Sequence, residues 1–190
     1  MPKKNIVVFA SGSGSNALNL IHYFNSSETA VVNSVFTNNK NAGVIAKAID
    51  NRVAVQRFNK SDFYETNQVI DWVKIYKPDL IVLAGFLWLV PSSFIEQFDG
   101  KIINLHPSLL PKFGGKGMYG RNVHQAVLEA HETETGITIH KVNKEYDKGE
   151  ILCQAKFSIE PNDDINQIES KIHELEFIHL PKTIETLLAK

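Results

Sequence analysis

A single cysteine, Cys153, occurs among the 190 residues, which excludes an intramolecular disulfide and any cysteine-rich zinc site. It stands within Ile151-Leu152-Cys153-Gln154-Ala155, a setting that suits a core or edge position rather than a nucleophile. Neither sign of charge is in excess. Twenty Lys and Arg against 21 Asp and Glu leave a net charge of −1, so nucleic acid and anionic membrane surfaces are not expected partners. No run approaches the ~20 apolar residues of a membrane span. The first apolar stretch, from Asn5, ends after about six residues, too short for a signal peptide, and a cytoplasmic location is the expectation. Repeats, low-complexity tracts and linkers are lacking, and 43% hydrophobic residues support one core, hence one domain over residues 1–190. The histidines His22, His124, His131, His140, His173 and His179 have no carboxylate or cysteine company at zinc-like spacing, so no metal is expected. Of these, His140 ends a strand behind the site, and the others belong to the surface or to packing.

Strand-like runs alternate with helical ones through most of the chain. Residues 5–10 and 31–36 are strands, 42–49 a helix, and Val53 begins a third strand. Ser61 can cap a helix with Asp62 and Glu65 in its first turn and an apolar stripe at Val69, Trp72, Val73 and Tyr76. That stripe makes Trp72 a core residue rather than a cofactor stacker. Residues 80–84, Leu-Ile-Val-Leu-Ala, are continuously apolar, as expected for a strand covered on both faces. A further buried strand ends at Ile103. After a helix over 123–130, residues 136–140 alternate like a half-exposed strand that 151–157 can pair with, and a helix follows Asp163-Asp164. This order predicts an α/β fold: a mostly parallel twisted sheet with helices on both faces, Rossmann-like, with an antiparallel addition near the C-terminus.

Two motifs follow strand ends, where ligands collect in such sheets. In Asn104-Leu105-His106-Pro107-Ser108-Leu109-Leu110-Pro111, an amide and an imidazole two residues apart point the same way. An oxyanion donor beside a group titrating near neutrality suits acyl transfer, although an isolated Asn-x-His can equally be a plain strand end. The second motif is Ser11-Gly12-Ser13-Gly14-Ser15-Asn16, between a strand and a helix start. Backbone N–H groups and the helix dipole make such a turn an anion cradle, or simply a tight connection. It is not a dinucleotide fingerprint, because position 17 is Ala, and it lacks the Gly-Lys-Ser/Thr of a P-loop, so it suits one phosphate. Residues 112–121, with Gly114, Gly115, Gly117 and Gly120, read as a mobile basic loop over the site, and 143–150 as a charged loop.

The Asn-x-His-Pro-Ser-Leu-Leu-Pro run resembles the signature of the folate-dependent formyltransferases. Residues 11–16, Leu83-Ala84-Gly85-Phe86, Gly115-Lys116-Gly117-Met118-Tyr119-Gly120, residues 136–140 and Tyr146-Asp147-Lys148-Gly149 resemble the branch that formylates glycinamide ribonucleotide, in the order that branch has them. Membership would imply direct transfer of a formyl group from 10-formyltetrahydrofolate, as co-substrate, to the ribonucleotide's amine in purine synthesis, without metal. By that resemblance Asn104, His106 and Asp147 are catalytic, with Asp147 raising the pKa of His106. Gly14, Ser15, Asn16 and Glu176 would bind the ribonucleotide. Leu87, Trp88, Leu89, Val90, Asn104, Asn143, Lys144, Glu145 and Tyr146 would bind the folate. Asp62 and Trp88 stand where the family often has basic residues facing the folate tail, with Lys60 or Arg57 as substitutes. The partners expected are small molecules, and the assembly a monomer or weak homodimer. The alternatives are a formyltetrahydrofolate hydrolase, usually preceded by a further N-terminal domain, and a non-catalytic folate- or nucleotide-binding protein.

Overall fold

The alternating apolar runs become five parallel strands joined by helical crossovers in the computed structural model, which describes residues 2–189. The strands are β1 (Lys4–Phe9), β2 (Ala30–Thr37), β3 (Ala54–Arg57), β4 (Leu80–Ala84), β5 (Ile102–His106), β6 (Glu134–Lys141) and β7 (Ile151–Ser158). They form one sheet in the order β3-β2-β1-β4-β5-β6-β7; pairs among the first five are parallel, and β5–β6 and β6–β7 are antiparallel. The helices are α1 (Ser15–Asn25), α2 (Val44–Asp50), α3 (Lys60–Tyr64), α4 (Gln68–Ile75), α5 (Ser92–Gln97), α6 (Arg121–Glu129) and α7 (Ile165–Leu188).

Side-chain alternation along the strands divides the interior into two cores. Ile6 and Val8 of β1 pack with α1, α2 and α7 through residues such as Leu20, Val44, Ile168 and Ile172. Val7 and Phe9 point the other way, to Phe63, Val73 and Phe94 of α3, α4 and α5. Helices therefore cover both faces, and β4 is buried at all five positions. The strand order reverses between β1 and β4, so their carboxyl ends open a crevice where ligands bind in folds of this kind. No helix among the described residues is long and apolar enough to cross a membrane.

Local details depart from the sequence reading in four places. The single helix expected from Ser61 is two, α3 and α4. Its cap is Asn59, whose side chain accepts from the Asp62 N–H while Asp62 accepts from the Asn59 N–H. Trp72 is only partly buried, against the second core. The strand expected to end at Ile103 instead begins at Ile102 and runs through His106. β6, expected to be half-exposed, is buried from Thr135 to His140, because α7 covers one face and the loop after β5 the other. Thr138 fixes that loop: its hydroxyl donates to the Ser108 carbonyl and accepts from the Leu110 N–H and Gln154 Nε2.

Candidate active site

At the end of β1 one residue ties both sides of the crevice together. The Ser11 N–H donates to the Gly85 carbonyl at 3.0 Å, and its hydroxyl donates to Asn38 Oδ1 at 2.7 Å and accepts from the Leu87 N–H at 3.0 Å. The turn leading into α1 and the segment leaving β4 are thereby held side by side. Gly14, at φ +74°, adopts a left-handed conformation, and a Cβ there would overlap the Val44 side chain. No side chain caps α1, so its first amides stay available for an anion.

Asn16, the second residue of α1, reaches across to α7. Its Nδ2 donates to Glu176 Oε2 at 2.8 Å, and its own Oδ1 is buried without a partner. Glu176, on α7, is only 6% exposed. Burial pushes its carboxyl above the ordinary value against the opposing pull of Asn16 and His173.

The second cluster forms where β5 meets β6. Ile103 and Leu105 enter the first core, and Asn104 and His106 share the opposite face with Ile102. Asn104 lies opposite His140 in the β5–β6 register, and its Nδ2 is 3.1 Å from His140 Nε2 and 3.4 Å from Asp147 Oδ1. The other ring nitrogen of His140 is 2.8 Å from the Lys141 carbonyl and so carries the proton, leaving Nε2 to accept from Asn104. His106 Nε2 donates to the Phe113 carbonyl at 2.8 Å by the same logic, and its Nδ1 faces Asp147 Oδ2 at 3.7 Å. Asp147, at φ +52°, also accepts from the Gly115 N–H at 2.8 Å. Three side chains, Asn104, His106 and His140, and the glycine-rich loop through the Gly115 N–H thus converge on one carboxylate.

Burial dominates the titration of His106. It lowers the imidazole below its ordinary value of 6.5 despite the Asp147 charge and the Phe113 carbonyl, which both raise it. The expected net upward shift does not occur, although Asp147 acts in the expected direction. Burial also pushes the Asp147 carboxyl up, but His140, the Gly115 N–H and the His106 charge together hold it below the usual carboxylate value.

Both clusters open into one cavity of about 530 Å³. It is lined by Gly14, Ser15, Asn16 and Glu176 at one end, by Asn104, His106 and Asp147, and by residues 87–90 with Asn143, Glu145 and Tyr146. Of the residues assigned from the sequence to catalysis or to binding the ribonucleotide or folate, Lys144 stays outside, with its ammonium 2.6 Å from Glu96, as do Asp62, Lys60 and Arg57 of the expected tail site. Asp62 has a local structural use, as the capping partner of Asn59, and Lys60 lies 6.0 Å from the Trp88 ring centre. No group of three or more candidate metal-ligating side chains occurs among the described residues.

Three lining residues carry more than the sequence indicated. His140 touches Asn104 directly. His124, assigned to surface or packing, is 3% exposed, lines the cavity and leaves Nδ1 without a partner. His173 also lines it. Their strand register and helix placement depend on long-range packing, so spacing alone carried no signal for them.

The doubly wound sheet thus carries an uncapped helix start after β1, and an amide and an imidazole at the end of β5 that face a carboxylate from the β6–β7 loop. The formyl transferase family model matches residues 4–184, and the chain belongs to that family. It is 39% identical over 177 residues to the chloroplastic phosphoribosylglycinamide formyltransferase of Arabidopsis thaliana, covering 90% of this chain and 60% of that protein. It is 35% identical over 187 residues to the phosphoribosylglycinamide formyltransferase of Haemophilus influenzae, covering 96% and 86%. The crystal structure of the Anaplasma phagocytophilum phosphoribosylglycinamide formyltransferase superposes with a TM-score of 0.90 at 28% identity, over 97% of this chain and 86% of that one.

Proposed function

We propose that the protein transfers the formyl group of 10-formyltetrahydrofolate to the amine of glycinamide ribonucleotide. The observation carrying this reading is the convergence of Asn104, His106 and His140 on Asp147 in the same cavity as an uncapped helix N-terminus. Its family membership and the names of its relatives agree with it.

In this reading the ribonucleotide phosphate lies on Gly14, Ser15 and the first amides of α1, and the free oxygen of Glu176 accepts from the ribose hydroxyls. The pterin lies along residues 87–90 and the loop carrying Asn143, Glu145 and Tyr146. The neutral amine attacks the formyl carbon, giving a tetrahedral oxyanion and a positively charged nitrogen. His106 starts neutral, as its lowered pKa requires, and its Nδ1 takes the proton from that nitrogen. The imidazolium beside Asp147 stabilises the oxyanion, then gives the proton to the folate nitrogen as the carbon–nitrogen bond breaks and the carbonyl reforms. One proton thus moves from amine to leaving group. Asn104 gives its longer, 3.4 Å contact with Asp147 to the oxyanion, a donor effect worth roughly 3 kcal/mol where such groups have been removed.

An absorbance assay with a 10-formyl folate, with and without the ribonucleotide, tests the reading. Turnover that requires the amine supports it. Turnover without the amine makes the protein a hydrolase, and no turnover makes it a binding protein.

A further inference from the structure

The charge lining the cavity does not suit an anionic substrate. Four carboxylates, Glu145, Asp147, Glu169 and Glu176, face it against a single lysine, Lys116. Lys148 and Arg121 neutralise Glu145 and Glu169 from outside the lining, but Asp147 and Glu176 have no lysine or arginine partner among the described residues. The buried histidines His106 and His124 do not supply the missing positive charge, since burial favours their neutral forms. Lys47, the lysine beside the turn, lies outside the lining and is committed to the Ser13 carbonyl at 2.8 Å.

Lys116 is uncommitted: among the described residues its side chain makes no hydrogen bond or ion pair. Its backbone is nonetheless fixed on both sides. The Phe113 carbonyl accepts from His106 Nε2, the Gly115 N–H donates to Asp147, and the Gly117 carbonyl accepts from Asn122. Gly115 and Gly117, at φ +97° and +88°, flank it in conformations that other residues rarely adopt. A free ammonium on a four-carbon stem is thus held over the cavity by a backbone tied to the proton-handling pair. The loop continues into α6, which packs on α7, and α7 carries the Glu176 that bonds Asn16 in the turn. Through α6 and α7 the lysine's loop is thus joined to the ribonucleotide end of the cavity, whereas Trp88 has its own cation in Lys60.

We propose that Lys116 recognises the phosphate monoester of the ribonucleotide, supplying the charge that the backbone cradle of residues 12–16 lacks. The assignment rests on the ribonucleotide reading above and adds a specificity residue to it. A strongly hydrated point charge completes a cradle of neutral amides and offsets the two carboxylates that have no lysine or arginine partner among the described residues.

The test is calorimetric titration with ribose 5-phosphate, without folate or turnover, of the wild type and of Lys116→Met, Lys116→Arg and Lys47→Met. Lys116→Met should weaken binding roughly tenfold and flatten its salt dependence, as loss of one phosphate contact does. Lys116→Arg should retain most of the affinity and Lys47→Met should match the wild type. In the transfer assay the ribonucleotide KM of Lys116→Met should rise while the folate KM holds. Unchanged ribose 5-phosphate binding in Lys116→Met, or a rise confined to the folate KM, overturns the proposal. If the wild type transfers no formyl group yet binds ribose 5-phosphate in a Lys116-dependent way, the functional reading fails and this assignment stands.

Discussion

Asn104 and His140 stand directly opposite each other in the β5–β6 pair, and their side chains meet at 3.1 Å between Nδ2 and Nε2. The contact sets the rotamer of the amide. One N–H is held by the imidazole and the other rests on Asp147 at the longer distance of 3.4 Å. A formyl oxygen has therefore only one weak bond to displace. His140 itself is oriented by the Lys141 carbonyl, so a backbone group ultimately fixes where Asn104 points.

Replacing His140 by Leu removes the acceptor and leaves one N–H of the half-buried Asn104 amide unpaired. We expect kcat to fall roughly tenfold, the effect of about 1.4 kcal/mol on the barrier, while the ribonucleotide KM hardly changes. Steady-state kinetics of the variant decide this. A wild-type kcat would mean that Asp147 alone orients Asn104.

Gly14 combines a left-handed φ with close packing on Val44. Gly14→Ala should lower stability by about 1 kcal/mol or more and displace the amides of the anion cradle. Ribonucleotide affinity should fall further than folate affinity. Denaturant titration and the two KM values check it, and equal losses for both substrates would remove the turn from phosphate binding.

Glu176 has a raised pKa in the folded protein because it is buried. The folded state therefore binds the proton more tightly than the unfolded chain. Its contribution to stability is fully present below the ordinary value of 4.5 and is lost as pH rises through the higher folded value. Glu176→Gln keeps the acceptor for Asn16 and removes the buried charge. The variant should be more stable than the wild type at neutral pH, by a margin that vanishes in acid, and bind the ribonucleotide more weakly. Thermal melts across pH together with the KM test both parts.

Much of this organisation was legible in the chain. β1 and β4 are short apolar runs between turn signals, and their parallel direction follows from the β/α alternation. The common direction of Asn104 and His106 follows from their two-residue spacing. The break between α3 and α4 was not legible, because Glu65-Thr66-Asn67 contains no glycine or proline to mark it. There the Thr66 hydroxyl donates to the Asp62 carbonyl and accepts from the Gln68 N–H, replacing helical bonds with local ones. The pairing of Asn104 with His140 joins positions 36 apart through sheet register, which no local pattern encodes. The neutral lean of His106 had the same origin. Its burial is produced by the loop folding back from Phe113, and desolvation there outweighs the carboxylate that the sequence had paired with it.

In the proposed reaction His106 enters as a neutral base whose proton affinity Asp147 raises against burial. Titration of the His106 ring by NMR in the wild type and in Asp147→Asn measures this directly. The wild-type pKa should lie below 6.5, and the variant should titrate lower still, because the raising charge is gone while burial remains. The acid limb of kcat/KM should follow the ring in both proteins, with kcat reduced in the variant because the imidazolium loses its counter-charge. A wild-type pKa at or above 6.5, or one that Asp147→Asn leaves unmoved, would contradict the account.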